Sequence, residues 1–373
     1  MMTVWIQNPF DGLPCEGGRK QRYWLMAEAF LRAGHLVTYW TSDFSHAAKR
    51  KRGTMPAVPP GMEVVFVPTS PYSSNVGIRR IASHRAYARS WTRMAQAHGG
   101  KPDLIISSIP TISAAEAAIA LGRNLGARIV IDVQDAWPET FERLAPCPLR
   151  PAAHAILAPL RSKARRIYRE SDIVTGVCDH YHDLTERDDY FRAYLGIEIP
   201  DAPVSATENI GSGVRRLVYS GNLGRTYDLL TVVKAVEADT NLELDVAGFG
   251  EFSSRCPRVH FHGMLSAEKL RAIFAECDVG IIPMRDDSWV GIPNKMFDYA
   301  AAGLKIVTSL GGETANLVSK YRCGATYRPG DAASLVSAVS ACDGIRRNAS
   351  LEMCRREFDA MKIYDNYVRF VAK

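Results

Sequence analysis

Strand-length runs of β-branched and aromatic residues alternate with helical segments along almost the whole chain. In the second half, helices are predicted at about residues 227–238, 266–276, 294–302, 312–320 and 331–342. The strand-length runs are, in chain order, TVWIQNP, HLVTYWTSD, MEVVFVP, DLIISSI, ARIVIDV, DIVTGVC, RRLVYSG, LELDVAG, VHFHGM, DVGIIPM, LKIVTS and GATYRP. This alternation predicts parallel sheets with helices packed on their faces.

The alternation lapses between residues 196 and 214, a stretch rich in Gly, Pro, Ser and Asn with no helical period. We predict the domain linker there. A chain of 373 residues is too long for one average domain. We therefore expect a Rossmann-like domain over residues 1–200, a second over 201–350 and a terminal helix over 351–373. Open α/β sheets bind ligands beyond the carboxyl ends of their strands, so the two domains are expected to share a cleft.

Composition argues against several classes of protein. The longest apolar runs are strand-sized and fall far short of the roughly 20 residues of a membrane span. The N-terminus lacks the features of a signal peptide, so we expect a cytoplasmic protein. Eight cysteines without a C-x-x-C pair predict neither a disulfide framework nor a cysteine zinc site. His180 and His182 beside Cys178, and His260 beside His262, alternate in sequence but have no evident fourth ligand, so no metal is predicted.

The net charge of +6 belongs to the N-terminal part of the chain. Residues 1–100 hold 13 Lys and Arg against 5 Asp and Glu, whereas residues 206–373 hold 21 against 20. Such a bias indicates an anionic partner, either an acceptor that carries phosphate or an anionic membrane surface. Nucleic acid is not predicted. A solvated basic face with no partner fits the same counts.

Two predicted strand-to-helix loops contain glycines of the kind that expose backbone amides to phosphate. The first-domain loop has Gly17 and Gly18 before a helix that is predicted to begin with Arg19, Lys20 and Arg22. The second-domain loop, SGNLGR, has Gly221, Asn222 and Gly224 before Arg225, which stands where a diphosphate would lie. Glycines at such positions also serve turns alone.

The segment 291-GIPNKMFDYAAAG-303 predicts a short helix with chemistry on one face. Pro293 suits its first turn, and Gly303 is typical of its end. Lys295 and Asp298 are three residues apart and therefore share a face. An acid near the start of a helix is favoured by the helix dipole alone; the functional interpretation is a carboxylate that accepts hydrogen bonds from ribose hydroxyls.

These segments, taken in order, resemble a known family. SGNLGR, 246-VAGFGEF-252, 261-FHGMLSAEKL-270, 280-GIIPM-284 and GIPNKMFDYAAAGLKIVTS are similar to the C-terminal half of the family 4 glycosyltransferases of the GT-B fold. The first-half segments 34-GHLVTYWTSDFSH-46, 102-PDLIISSIP-110 and 131-IDVQDAWPE-139 resemble the branch that builds bacterial surface polysaccharides. The resemblance spans nearly the whole chain.

The resemblance implies two Rossmann-like domains facing a central cleft, with a C-terminal helix that crosses back to the first domain. It also implies a retaining transfer of a sugar from a UDP-, GDP- or dTDP-sugar donor to a glycan or lipid-linked acceptor, with no cofactor and no bound metal. Asp298 matches the second acid of the E-x7-E motif, which holds the donor ribose. Arg225 matches the arginine that neutralises the diphosphate, and Met264 falls where backbone groups meet the base.

The implied donor site comprises Gly221, Asn222, Gly224, Arg225, Met264, Pro293, Asn294, Lys295 and Asp298. Gly17 and Gly18 match the loop across the cleft from the donor. Arg225 and Lys295 are the candidates for stabilising the leaving diphosphate, and Asp135 is the acid expected near the acceptor, although an acid in such a turn can also cap a helix.

Two positions depart from the family pattern. Val290 stands eight residues before Asp298, where the motif has its first acid, so the motif's usual carboxylate contact to the transferred sugar has no counterpart at this position. Tyr227 falls near the place of a second basic residue, and Lys295 is expected to supply part of that charge.

The segment 149–170 predicts a basic amphipathic helix with Ile156, Leu160 and Ile167 near one side. Such a helix can lie on an anionic membrane or pack on the sheet as an ordinary helix. A second basic stretch, residues 49–52, is expected to contact the same membrane if the acceptor is lipid-linked.

Other functions stay open from the sequence. A GT-B sugar-nucleotide epimerase would share the architecture, and a non-catalytic protein would bind the nucleotide without turning it over. A dinucleotide enzyme is disfavoured, because no complete G-x-G-x-x-G follows a strand with an acid about 20 residues on.

Overall fold

The structure, a computed structural model, describes residues 1–17, 19–73, 77–199, 213–224, 226–346 and 348–373. Two compact units are present: unit 1 comprises Met1–Glu198 and Ala360–Lys373, and unit 2 comprises Ile199–Asp359. The predicted linker falls mainly on residues 200–212, which lie outside the described residues.

The described strands are β1 (Thr3–Gln7), β2 (Leu36–Ser42), β3 (Phe44–Ser45), β4 (Arg50–Lys51), β5 (Met62–Val67), β6 (Leu104–Ile109), β7 (Arg128–Val133), β8 (Ile173–Gly176), β9 (Phe191–Arg192), β10 (Arg215–Asn222), β11 (Leu242–Phe249), β12 (Val259–Gly263), β13 (Val279–Ile282), β14 (Lys305–Thr308) and β15 (Gly324–Thr326). The described helices are α1 (Arg22–Arg32), α2 (Ile78–Ala97), α3 (Ile112–Leu125), α4 (Glu139–Leu144), α5 (Arg150–Glu170), α6 (His182–Thr185), α7 (Leu229–Ala238), α8 (Ala267–Glu276), α9 (Asn294–Ala301), α10 (Gly312–Lys320), α11 (Ala332–Ala341), α12 (Ala349–Glu357) and α13 (Ala360–Val371).

Unit 1 is built on a parallel seven-stranded sheet in the order β5-β2-β1-β6-β7-β8-β9. All six residues of β6 are buried, as expected for a strand covered on both faces by helices. The strand order reverses between β1 and β6, and the carboxyl ends of those two strands mark the crevice where such sheets bind ligands.

Unit 2 has a parallel six-stranded sheet in the order β12-β11-β10-β13-β14-β15. Its strand order reverses between β10 and β13. The five helices predicted between residues 227 and 342 are present to within two residues at either end. The predicted α/β architecture of two Rossmann-like sheets is therefore confirmed.

The C-terminal segment forms two helices where the sequence predicts one over 351–373. Helix α12 belongs to unit 2, where Phe358, just after it, stacks edge-on against Phe297 of α9 with ring centroids 4.6 Å apart. Helix α13 belongs to unit 1 and packs against α1. Its Tyr364, Tyr367 and Val371 are buried at helical spacing in the unit 1 core.

A buried ion pair lies beneath α13. Arg22 donates from Nε and Nη2 to the two carboxylate oxygens of Asp132, each at 2.8 Å, and both side chains are almost fully buried. Tyr23 and Thr175 donate to the same carboxylate, each at 2.7 Å. Arg22 was predicted near the start of the helix behind Gly17 and Gly18, without its burial or its partner. It fixes the first turn of α1 to β7 of the sheet.

Helix α5 combines features of both expectations for residues 149–170. Its C-terminal half packs on the unit through Ile167 and Tyr168, whereas Ile156 in its N-terminal half is 76% exposed. Several of its basic residues pair with acids of neighbouring elements, among them Arg161 with Glu142 at 2.7 Å. Within the described part of the chain, no helix is both long and apolar enough to cross a membrane.

Candidate active site

Two glycines bring the carboxyl ends of β10 and β11 unusually close together. Gly221 and Gly248 face each other in the parallel register, with φ of +121° and +152°. A Cβ on Gly248 would lie 1.8 Å from the carbonyl oxygen of Gly221. No other residue fits there, and the backbone of β10 is therefore exposed at its carboxyl end without a side chain in the way.

Helix α9 begins beside this strand end. Pro293 occupies the N-cap position, one residue before the first turn that the sequence suggested. Gly303 (φ +71°) follows the C-cap Ala302. The amides of Gly303 and Leu304 donate to the carbonyls of Ala300 and Tyr299, a Schellman arrangement that terminates the helix.

Asp298 lies in the second turn of α9, and the first turn contains no acid. The helix dipole acts mainly within the first turn. The sequence-based alternative, in which Asp298 only complements the dipole, is therefore not supported by its position.

Lys295 is the most unusual residue of this region. Its side chain is buried, with the residue only 6% exposed. The Nζ atom lies 3.7 Å from the centroid of the Tyr227 ring and 4.6 Å from that of the Tyr219 ring. It also lies 3.0 Å from where a Cβ on Gly221 would be. The lysine therefore points at the glycine end of β10 between two aromatic rings.

Burial lowers the pKa of Lys295 to about 7, although the nearby charge of Asp298 raises it. A cation held over aromatic rings and away from water is ready to pair with an anion, since little of its hydration remains to be removed.

Tyr299 fixes the carboxyl end of β10, which carries Gly221. Its hydroxyl accepts a hydrogen bond from the amide of Ser220 at 2.9 Å and donates to the carbonyl of Ile281 at 3.4 Å. The ring packs so tightly on β13 that a Cβ on Gly280 would lie 2.4 Å from it. Tyr299 thus links α9 to both β10 and β13.

The loop after β10 differs from the expectation of a helix N-terminus directly behind the glycines. Helix α7 starts only at Leu229, and its N-cap Asp228 accepts a hydrogen bond from the amide of Thr231 at 3.2 Å. The side chain of Asn222 accepts from the amide of Gly224 at 2.7 Å and shapes the turn. Arg225 lies outside the described residues, so its predicted role stays a prediction.

The remaining predicted donor residues lie around the same edge. Asn294 is exposed at the first position of α9. Met264 is 72% exposed just after β12. Phe249, at the carboxyl end of β11, is 56% exposed and was not singled out from the sequence. Its signal is a large aromatic residue at the end of a strand, between two glycines.

The predicted residues of unit 1 lie along the carboxyl edge of the other sheet. Gly17 is exposed with φ +84°, and Gly18 lies outside the described residues. Asp135 is partly buried after β7 and accepts a hydrogen bond from the Thr140 hydroxyl at 3.3 Å. Burial raises the pKa of this carboxyl. The N-cap of α4 is Pro138, so Asp135 is not the cap of that helix.

The histidine spacings considered for a metal have other partners in the fold. His262 contacts the buried carboxylate of Asp245 at 2.7 Å, and Arg216 pairs with the same carboxylate at 3.0 Å. His182 contacts the carbonyl of Arg187 at 2.7 Å.

Two parallel α/β units, one with a buried lysine at a glycine-lined strand end, define a protein of the GT-B class. Two family models match the chain: "Glycosyl transferase 4-like domain" over residues 17–194 and "Glycosyl transferases group 1" over residues 214–342. The chain belongs to the group 1 glycosyltransferases, a family of retaining, metal-independent hexosyltransferases that use nucleotide-sugar donors.

Solved structures of low sequence identity share the fold over their whole length. Sucrose-phosphate synthase from Thermosynechococcus elongatus is 13% identical with a TM-score of 0.74, covering 100% of this chain and 98% of its own. HepE from Anabaena, in complex with UDP and glucose, is 13% identical with a TM-score of 0.63 and full coverage of both chains. The lipopolysaccharide outer core galactosyltransferase WaaB is 13% identical with a TM-score of 0.64, covering 100% of this chain and 99% of its own. The search of curated proteins found no match.

Proposed function

We propose that this glycosyltransferase transfers a sugar to a glycan or lipid-linked acceptor in surface polysaccharide or glycoconjugate assembly, and that the carboxyl edge of β10 with the start of α9 binds the donor. The observation that carries the donor site is the position of Lys295, buried between two tyrosine rings beside Gly221.

The chemistry of the leaving group explains why a cation is needed there. As the anomeric bond breaks, negative charge develops on the phosphate oxygens of the nucleoside diphosphate. A fixed ammonium group in a water-poor site stabilises that charge, and loss of one such group typically lowers kcat by about 10²–10³. Lys295 is proposed to fill this role together with Arg225. The released phosphate can take the proton of the acceptor hydroxyl, so the reaction needs no separate base.

Asp298 is proposed to hold the ribose. It lies one turn after Lys295 on α9 and is partly exposed, so its carboxylate can accept hydrogen bonds from a pair of hydroxyls. Met264 and Phe249, both exposed at neighbouring strand ends, are proposed to lie near the base. The Anabaena structures that contain UDP and UDP-glucose make UDP the first nucleotide to test.

In unit 1, Gly17 and Gly18 are proposed to lie near the donor and Asp135 near the acceptor. Peripheral membrane contact is proposed for α5, whose Ile156 is exposed, and for Leu149 just before it, which is 57% exposed. In the basic stretch 49–52, Arg50 is exposed, whereas Lys51 pairs with Asp43 and Arg52 pairs with Glu16. We therefore expect α5 rather than this stretch to make the first membrane contact.

A thermal-shift panel tests the donor site. UDP, GDP, dTDP and NAD are added to the wild type, to Asp298→Asn and to a matched control, Asp188→Asn, which changes an exposed acid of unit 1. One nucleoside diphosphate is expected to raise the Tm of the wild type and the control but not of Asp298→Asn. An equal response of all three proteins, or a response to NAD alone, contradicts the proposal.

A further inference from the structure

A second cluster of charged and aromatic side chains lies in unit 1, apart from the residues proposed to bind the donor. Its members follow the carboxyl ends of β1, β2, β5 and β7 or project from α2. Phe10, Tyr72 and His84 line a narrow cleft together with hydroxyl-bearing residues. We call this the unit 1 cleft. The other members contact these three aromatic side chains from outside the cleft lining. The main members of the cluster are Phe10, His46, Lys49, Tyr72, Arg80, His84 and Trp137.

Two cations of the cluster rest on aromatic rings. The guanidinium of Arg80 lies 4.8 Å from the Trp137 ring and 5.3 Å from the Phe10 ring. The Nζ atom of Lys49 lies 4.8 Å from the Tyr72 ring. A guanidinium that stacks through its face presents its donors in the plane, in the geometry that suits a carboxylate or a phosphate. Stacking also restricts the side chain beforehand, so less entropy is lost when an anion binds.

Two histidines lie among these cations. His46 contacts the Tyr72 hydroxyl and, at 3.4 Å, Lys49 Nζ. The His84 ring lies 5.1 Å from the Phe10 ring and 5.6 Å from the Trp137 ring. Both histidines are neutral at physiological pH. Burial, together with the charges of Lys49 and Arg80, lowers the pKa of His46 to about 4. Burial, Arg80 and His46 lower that of His84 to about 3.

The cations of the cluster also oppose each other. Burial and the charge of Arg80 lower the pKa of Lys49. Burial likewise lowers the pKa of Arg80, although Tyr72 and Asp135 raise it. Asp135 is the carboxylate whose negative charge acts on the guanidinium of Arg80. A bound anion between Lys49 and Arg80 would relieve their repulsion.

An independent observation also points to a ligand. His84 is 94% buried and lines the cleft, yet its Nε2 atom has no hydrogen-bond partner among the described residues. A buried polar atom of this kind is typically satisfied by a ligand or a water. In addition, Arg80 lies in the first turn of α2, which contains no acid, so that the helix dipole adds to the positive potential.

We propose that the unit 1 cleft recognises an acceptor sugar that carries an anionic group, either a phosphate or a carboxylate, which pairs with Arg80 and Lys49. This proposal rests on the proposed glycosyltransferase function, in which unit 1 receives the acceptor. Aromatic rings give the sugar ring an apolar surface.

The test uses the full chain and three probes: glucuronate, glucose 6-phosphate and the uncharged methyl glucoside. Binding is followed by NMR of the His46 and His84 ring protons, which locates it in the unit 1 cleft. Arg80→Gln is compared with Arg85→Gln, an exposed arginine of the same helix. At least one anionic sugar is expected to shift both histidines and to raise their pKa values. In Arg80→Gln its affinity should fall about tenfold or more, whereas Arg85→Gln should bind as the wild type does.

Equal binding by the two variants, or equal binding of methyl glucoside, overturns the proposal. Phosphatidylglycerol vesicles form a further arm: if they shift the histidines and neither anionic sugar does, the anion belongs to a lipid headgroup and the proposal is again overturned. If a nucleoside diphosphate raises the Tm but no anionic sugar binds in the unit 1 cleft, the acceptor proposal fails and the donor proposal stands. Anionic sugar binding without any nucleotide response would instead remove the donor proposal alone.

Discussion

The Nζ atom of Lys295 lies 3.7 Å from the centroid of the Tyr227 ring. Tyr227 stands near the position where the resemblance implies a second basic residue, so a ring replaces a charge at this point. The Tyr227 ring attracts the ammonium group of Lys295 but does not neutralise its charge. In the proposed donor site, a diphosphate would therefore meet the desolvated Lys295 beside Arg225, with a tyrosine ring at the place of the family's second basic residue.

The pH dependence of stability tests the buried state of Lys295. Its pKa is about 7 in the folded protein against 10.5 in its ordinary state. Between these values the unfolded chain binds more protons, so the free energy of unfolding rises with pH, by at most about 1.4 kcal/mol per pH unit. Lys295→Met should lack this contribution. Denaturant unfolding of both proteins between about pH 7 and pH 10 measures the difference.

The difference between the free energies of unfolding of the wild type and Lys295→Met isolates the effect of Lys295, because the other titrating groups act in both proteins alike. A constant free-energy gap between the wild type and Lys295→Met across this range would show that the lysine is hydrated in the folded state.

Gly248→Ala should damage unit 2 far more than a glycine substitution usually does. The new methyl group would lie 1.8 Å from the carbonyl oxygen of Gly221. In addition, the backbone of residue 248 has φ +152°, which alanine rarely adopts. We expect a loss of about 2–4 kcal/mol in the free energy of unfolding. Gly311→Ala is the matched control, since Gly311 has φ −80° and open space around a Cβ. Similar losses in the two variants would mean that β10 and β11 do not approach so closely.

Tyr299→Phe should weaken both stability and donor binding. The substitution leaves the Ser220 amide buried without its acceptor, at a cost of about 1–3 kcal/mol. The turn at Gly221 should then move relative to Lys295. Calorimetric titration with the nucleotide identified in the thermal-shift panel measures the second effect. Unchanged affinity at reduced stability would limit Tyr299 to a structural role.

Asp132→Asn should destabilise unit 1 by about 3–5 kcal/mol, because it leaves the buried Arg22 without a counter-charge. The pair of Arg187 with the exposed Asp189, 2.6 Å apart, provides the control: Asp189→Asn should cost no more than about 1 kcal/mol. Chemical unfolding of the two variants measures both effects. Equal losses would contradict a special role for the buried pair.

The carboxylate of Asp132 should also make the stability of the protein depend on pH in the acid range. Burial would raise the pKa of Asp132, but the charge and hydrogen bonds of Arg22, Thr175 and Tyr23 hold it below its ordinary 3.8. The folded pKa is therefore the lower one, and the stabilisation is present above about pH 4 and is lost as the pH falls further. Below about pH 4, the free energy of unfolding of Asp132→Asn should fall less steeply with decreasing pH than that of the wild type.

The sequence predicted the two sheets well because strand-length apolar runs and their helices repeat regularly. Helix α9 illustrates this success, since Pro293 and Gly303 mark its ends within two residues. The break between α12 and α13 was missed. Both helices carry helical periodicity, and only tertiary packing, with α12 on α9 and α13 on α1, separates them.

The candidate site was predictable to the extent that it lies in one contiguous motif. Lys295 and Asp298 were found through their shared helix face. The tyrosine rings around Lys295 were not, because Tyr227 approaches it through a loop that pairs with Met284 after β13, which no local pattern reveals. For the same reason the burial of Arg22 was not predicted: its partner Asp132 is 110 residues away in sequence.

The hydrogen bond between the amide of Ala360 and the carbonyl of Ile197, at 3.0 Å, joins the point where the chain leaves unit 1 to the point where it returns. A Cβ on Gly196 would lie 2.7 Å from Ala360 Cα, so the two strands of chain touch. In covalent terms unit 2 is an insertion within unit 1, with entry and exit side by side. A short peptide from Ile197 to Ala360 would therefore close unit 1 into a continuous chain, and the excised segment could be exchanged for that of a relative without altering the fold that receives it.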